Sequence, residues 1–207
     1  MDFIELFSKG GHVMYLLLLS SIAVVAIGVE RLMFYKYAEH DSEKFLNELQ
    51  EKLNHDNIES VLYFCRKENS SLGEVAFSGI EAFSRGKNIE LALENSYNEY
   101  AMKLRERLNY LSMIVTLAPL LGLLGTIFGM IETFNIFNIQ AGQPLAITGG
   151  IGEALVATAT GLCVAIFALL VHTYLAQKLD EILTKLEKTV NIVLANLNTK
   201  GESNETA

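Results

Sequence analysis

Between Arg107 and Lys178 lie 70 consecutive residues with only two formal charges, Glu132 and Glu153. A water-facing fold cannot be built from such a stretch. A helix needs about 20 mostly apolar residues to cross the hydrocarbon core of a bilayer. Two uncharged runs of 24 residues, Leu108–Ile131 and Ala154–Gln177, lie inside it or along it. A third run, Val13–Val29, has 17 uncharged residues closed by Glu30 and Arg31. The expected fold is an all-α membrane protein with three transmembrane helices, the last two forming a hairpin. Residues 1–12 hold one lysine against two acids, and no small-residue cleavage site precedes the charges. The first run therefore reads as a retained span, not a signal peptide.

Lysine and arginine orient the spans, because positive charge is retained on the cytoplasmic side. Residues 30–107 hold eleven, the segment after Gln177 four, residues 1–12 one, and Thr133–Gly152 none. This divides the chain into an outer N-terminus (1–12), span one (13–29), a cytoplasmic helical region (30–107) and span two (108–132). An outer loop (133–146), span three (147–177), a cytoplasmic helical extension (178–199) and a disordered tail (200–207) follow. Phe45, Leu46, Leu49 and Leu53 recur at helical spacing, as do Ile58, Val61, Leu62 and Cys65. Breaks are expected at Asn54 to Asn57 and at Asn69 to Gly73. Leu91 to Leu108 reads as one unbroken helix whose Lys103, Arg105 and Arg107 meet lipid headgroups. Beyond span three, Leu179, Ile182, Leu183, Leu186, Val190, Val193, Leu194 and Leu197 form a stripe that packs on the cytoplasmic region or a neighbouring subunit.

The net charge of −8 argues against nucleic acid as a partner. The chain has no phosphate-binding glycine loop, no nucleophile elbow and no metal-spaced Cys/His set, so neither an enzyme, a cofactor nor a metal is expected. Cys65 and Cys163 fall in different kinds of segment and read as two buried thiols, not a disulfide.

A carboxylate at mid-depth costs about 2.5–3.5 kcal/mol. Glu153 lies about 37 Å along the helix from Lys178 at 1.5 Å per residue, which leaves it either intramembrane or at the outer interface. Glu132 reaches the same height. Small residues form stripes on both spans of the hairpin: Ala118, Gly122, Gly125 and Gly129, then Ala154, Ala157, Gly161, Ala165 and Ala168. Such stripes let backbones approach closely and mean a tight hairpin or oligomer. Pro119 frees a carbonyl and permits a kink. Thr126 lies 19 residues from Arg107 and Thr158 lies 20 from Lys178, so they share a level. Thr160, seven residues after Glu153, shares its face, whereas Thr158 is rotated by about 140°. His12 and His172 sit near span ends and read as interfacial anchors.

The segments LAPLLGLLGTIFGMIETF (Leu117–Phe134) and GGIGEALVATATGLCVAI (Gly149–Ile166) resemble the paired signature of the ExbB/TolQ proton-channel family, which is more distantly related to flagellar stators. The resemblance covers all three spans. It implies that Glu153 takes the place of the family's pore glutamate, and that Thr126 and Thr158 match its pore threonines. It also implies a homo-oligomer, a pentamer, around an ExbD/TolR-like single-span dimer that drives a TonB/TolA-like periplasm-spanning protein. The expected role is a proton-channel subunit of a TonB-energising motor in the bacterial inner membrane. The alternatives are a TolQ-like constriction subunit, a sodium-driven stator or a non-conducting scaffold. The chain departs from the family in having Ala165-Ile166-Phe167-Ala168 where AIPA is usual, and Thr173 where asparagine is frequent.

Overall fold

A computed structural model describes residues 11–38, 42–68, 70–139 and 144–205. For residue 37, 135–139, 144–148, residue 153 and 201–205 the description is of the backbone alone. The described residues are helical apart from short turns and connections and contain no strand. In chain order the helices are α1 (Val13–Ala38), α2 (Ser42–His55), α3 (Ile58–Lys67), α4 (Ser71–Ser84), α5 (Ile89–Arg105), α6 (Leu108–Ile139) and α7 (Pro144–Glu205). Three of them carry stretches long and apolar enough to cross a membrane, within α1, α6 and α7. The chain divides into two compact units, one of residues 1–30 and 107–175, the other of residues 31–106 and 176–207.

In the first unit small residues fill the α6–α7 seam and many large apolar ones face outward. Ala118, Ala154, Ala157, Ala165 and Ala168 are buried, whereas Leu120, Phe128, Leu155, Ile166 and Leu170 are exposed. That is the arrangement expected where lipid is the solvent, since exposing leucine to lipid tails costs nothing and association depends on close packing. Glycine allows the approach. A Cβ at Gly161 would lie 2.6 Å from the Ala118 carbonyl, and one at Gly125 would lie 2.6 Å from the Ala157 Cβ. One at Gly129 would lie 3.0 Å from the Ala154 Cβ. The two expected stripes therefore face each other across α6 and α7. The start of α1 closes on them through Val13, Met14 and Leu17, which cluster with Ala118 and Ala165. Further along, Gly28 packs on Val171. Arg107 pairs with Glu30 at 3.3 Å.

The second unit is an ordinary hydrophobic core. Phe45, Leu46, Leu49 and Leu53 of α2 are buried together with Val61 and Cys65 of α3. Ile58 and Leu62 are half-buried. Phe45 stacks on Phe64 with centroids 5.4 Å apart. From α7, Leu179, Ile182, Leu183, Leu186, Val193 and Leu197 are buried within the same chain, and Lys200 reaches the Asp56 carbonyl at 3.4 Å. Helix ends are satisfied by named groups. Ser70 accepts from the Gly73 amide and Asn88 from the Leu91 amide, capping α4 and α5. At the other end of α5, Arg31 donates to the Lys103 carbonyl at 3.0 Å and Tyr35 to the Leu104 carbonyl at 2.8 Å. These tertiary donors take carbonyls that a helix C-terminus leaves without intrahelical partners.

Several expectations need correction. The helix read from Leu91 to Leu108 ends at Arg105, because Arg107 adopts φ 68° and turns the chain before α6. The 85–88 turn, with Gly86 at φ 64°, separates α4 from α5 and was not expected. Gly73 lies inside α4 and is not a break. Most of the expected outer loop 133–146 is helical, since α6 continues to Ile139 and α7 starts at Pro144. The remaining 140–143 lies outside the described residues, as does 1–10 of the expected outer N-terminus. Helix also continues through 200–205, where a disordered tail was expected: extending an existing helix needs no new nucleus. Residues 206–207 are outside the description. Cys65 is buried but Cys163 is exposed, so the two thiols are not alike; both are free.

Burial, with the Glu68 carboxylate beside it, pushes the Cys65 thiol up from 9.0 to about 12. The unfolded thiol ionises near 9 while the folded one stays protonated, so the folded chain holds the extra proton between these values. Stability is therefore expected to fall as pH rises from 9 towards 12, measured as Tm in detergent. Cys65→Ala should flatten that alkaline slope. A second expectation concerns the hairpin. Gly161→Val should destabilise the protein by about 1–3 kcal/mol through overpacking, whereas Gly149→Ala, with nothing within 4 Å of the new Cβ, should leave the Tm unchanged.

Candidate functional site

The polar groups of the apolar unit are positioned by the α6–α7 seam. Contacts along it pair Ala118 with Gly161, Gly122 with Ala157 and Thr158, Gly125 with Ala157, and Gly129 with Ala154. Gly150 faces Thr133, whose Oγ1 occupies the space a side chain would need. This antiparallel register fixes heights. Glu153 is next in sequence to Ala154, so its backbone lies at the level of Gly129. Glu132, which is exposed, lies within one turn of the same level. Height does not separate the two carboxylates, as the residue counting anticipated.

Thr158 is half-buried against α6, and its Oγ1 donates to the Gly122 carbonyl at 3.0 Å. That carbonyl is also the ladder acceptor for the amide four residues on, which is Thr126. One carbonyl thus joins the two threonines that the sequence placed at one level. Thr126 itself donates to the Leu123 carbonyl at 2.6 Å. Thr160 is not part of this group. It donates to Val156 of its own helix at 2.8 Å and lines a cleft of about 470 Å³ with Met14, Leu17, Ser21, Cys163 and Phe167. Position 153 falls on the Thr160 face by helical register, as expected. Gly122, Gly125, Gly129, Ala157 and Gly161 lie in close contact along the α6–α7 seam, and Ala165 lies in the cluster with Val13, Met14 and Leu17.

Sequence reading missed two features here. Thr133 is buried, with Oγ1 donating to Gly129 at 2.7 Å, one turn from the Glu153 level. The signal was its spacing: seven residues after Thr126, it continues the stripe Gly122, Thr126, Gly129. The Gly122 carbonyl was missed because no side chain marks it. His12 is exposed and His172 half-buried. No group of three or more metal-ligating side chains occurs among the described residues. With each hydroxyl proton on a carbonyl, the threonine oxygens offer lone pairs, which suits water or a cation rather than an anion.

The sequence profile of the MotA/TolQ/ExbB proton channel family matches residues 67–188, more than half of the chain. An ExbB-like biopolymer transport protein of Synechocystis is 34% identical over 174 residues, covering 82% of this chain and 68% of that protein. An ExbB homologue of Methanothermobacter thermautotrophicus is 24% identical over 186 residues, covering 89% of this chain and 66% of that one. The biopolymer transport protein ExbB of Neisseria gonorrhoeae is 37% identical over 121 residues, 51% of this chain and 54% of its own. Taken with the three apolar spanning helices and the aligned small-residue seam, these matches place the chain, a membrane protein, in the MotA/TolQ/ExbB proton channel family.

Proposed function

We propose that the chain is the channel and stator subunit of an ExbB-type motor that couples the proton motive force to outer-membrane transport. In this reading it sits in the bacterial inner membrane with its N-terminus outside and its C-terminus cytoplasmic. It forms a pentamer around the spans of an ExbD/TolR-like dimer, which drives a TonB/TolA-like protein. The observation that carries the proposal is the α6–α7 seam. It brings Thr126 and Thr158 to one carbonyl in the middle of an apolar unit and holds Glu153 at a defined height above them. The lysine and arginine bias supports the orientation. The large apolar faces left exposed on α1, α6 and α7 support burial in lipid and against other copies.

The chemistry follows from the residues. Glu153 exchanges protons with, or sets the field at, an acid on the partner helix. Thr126 and Thr158, with Thr160 on the Glu153 face, hold water. One charge crossing 100 mV releases about 2.3 kcal/mol, so sizeable mechanical work takes several protons per cycle. α7 continues unbroken through Phe167, in place of the usual proline, so conduction in the cytoplasmic half has no bend at that point to rely on. A scaffold role is the rival reading. It is favoured by the fact that each threonine hydroxyl is already satisfied by a carbonyl, as structural threonines are.

Glu153→Gln separates the two. The proposal expects normal amounts of the chain and its partners in the membrane, with energised outer-membrane uptake abolished. Uptake at the parent rate in that variant would refute the channel reading and leave the scaffold.

A further inference from the structure

Eight threonine hydroxyls make hydrogen bonds among the described residues. Seven of them, at Thr116, Thr126, Thr133, Thr160, Thr184, Thr189 and Thr199, return to a carbonyl of their own helix. That is the default for a helical threonine, and such a bond travels with its helix. Thr158 is the exception, for its proton crosses to Gly122 on α6. The crossing depends on the backbone distance. A Cβ at Gly122 would stand 3.1 Å from the Ala157 carbonyl and 3.1 Å from the Thr158 Cα, and one at Gly161 would stand 2.9 Å from the Gly122 Cα. Glycine at both positions lets the hydroxyl reach.

We propose that Gly122 is a positioning residue for the ion path: its carbonyl holds the Thr158 proton, fixing Thr158 as an acceptor-only oxygen beside Thr126. This rests on the channel reading above and adds a polarity to it. A threonine free to rotate presents either its proton or its lone pairs. One whose proton is held across the seam presents lone pairs alone, which a hydronium or a water donating along a proton chain requires. The same carbonyl accepts the Thr126 amide through the helix ladder. A shift of α6 against α7 therefore disturbs both threonines together.

The test is proton uptake into native membrane vesicles carrying the full-length chain with its partners, followed with a pH-sensitive dye and normalised to assembled protein. Thr158→Val keeps the shape and removes the oxygen, and uptake should fall about tenfold, the scale of one hydrogen bond to a charged group. Thr158→Ser should recover most of that loss. Gly122→Ala should slow uptake in the parent chain and add no further loss in the Thr158→Val background, because it acts through Thr158. Uptake at the parent rate in Thr158→Val, equal losses in the serine and valine variants, or losses from Gly122→Ala and Thr158→Val that multiply would each overturn the proposal. Should Gly122→Ala not assemble, the serine and valine variants decide alone. Glu153→Gln, run alongside, keeps the two levels apart. Parent uptake there defeats the channel reading itself, while its loss beside an unaffected Thr158→Val defeats only the role of Gly122.

Discussion

Everything in the apolar unit depends on how near two backbones can come. Lipid tails are as apolar as leucine, so no hydrophobic force drives α6 onto α7; the energy comes from van der Waals contact and the bonds that contact permits. The seam answers this with glycine and alanine. Gly161 brings α7 against the Ala118 carbonyl, Gly125 sits on Ala157, and Gly129 sits on Ala154. Only at that distance can Thr158 reach the Gly122 carbonyl. The register of the hairpin, the heights of Glu132 and Glu153, and the seat prepared for α1 by Ala118 and Ala165 all follow from the same approach.

The second unit obeys the opposite rule. Its helices bury leucine, isoleucine and phenylalanine away from water, and its glycines serve local fits: Gly79 makes room for the Leu93 side chain between α4 and α5. Its pairs Lys103–Glu99 and Arg85–Glu81 sit on exposed faces, where each is worth little individually. Two kinds of solvent thus leave two kinds of interior in one chain. Leucine and phenylalanine mark the core of the second unit, whereas in the first Leu120, Phe128 and Leu170 stay outside and glycine and alanine fill the seam.

That contrast explains what could be read from sequence. The spans, the hairpin and the small-residue stripes were legible because lipid imposes length and uncharged composition over 20 residues at a time. The stripe from Leu179 to Leu197 was legible because burial repeats with the helical period. What escaped was set by single backbone atoms or dihedrals. Arg107 ends a helix at a positive φ, a conformation that sequence normally announces with glycine. The Gly122 carbonyl has no residue-type signature. Thr133 went unnoticed as one polar residue in a segment that seemed to be loop. Cys163 was misjudged because a thiol in a span can face outward as readily as inward when both directions are apolar. Glu153 was singled out by its motif and not by depth, and the seam leaves it level with Glu132.

The caps on α5 carry a consequence for the order in which the chain can be built. The carbonyls of Lys103 and Leu104 are held by Arg31 and Tyr35, residues that leave the ribosome some seventy positions earlier. The C-terminal end of α5 can therefore be finished before the hairpin exists, and α6 would begin from a helix already terminated. The stripe from Leu179 to Leu197 is synthesised only after the hairpin. Until it arrives, α2 lacks the neighbours that Leu46 and Asn47 meet in Lys188 and Ile192, so a nascent chain stalled before residue 178 would be the form most exposed to chaperones and proteases.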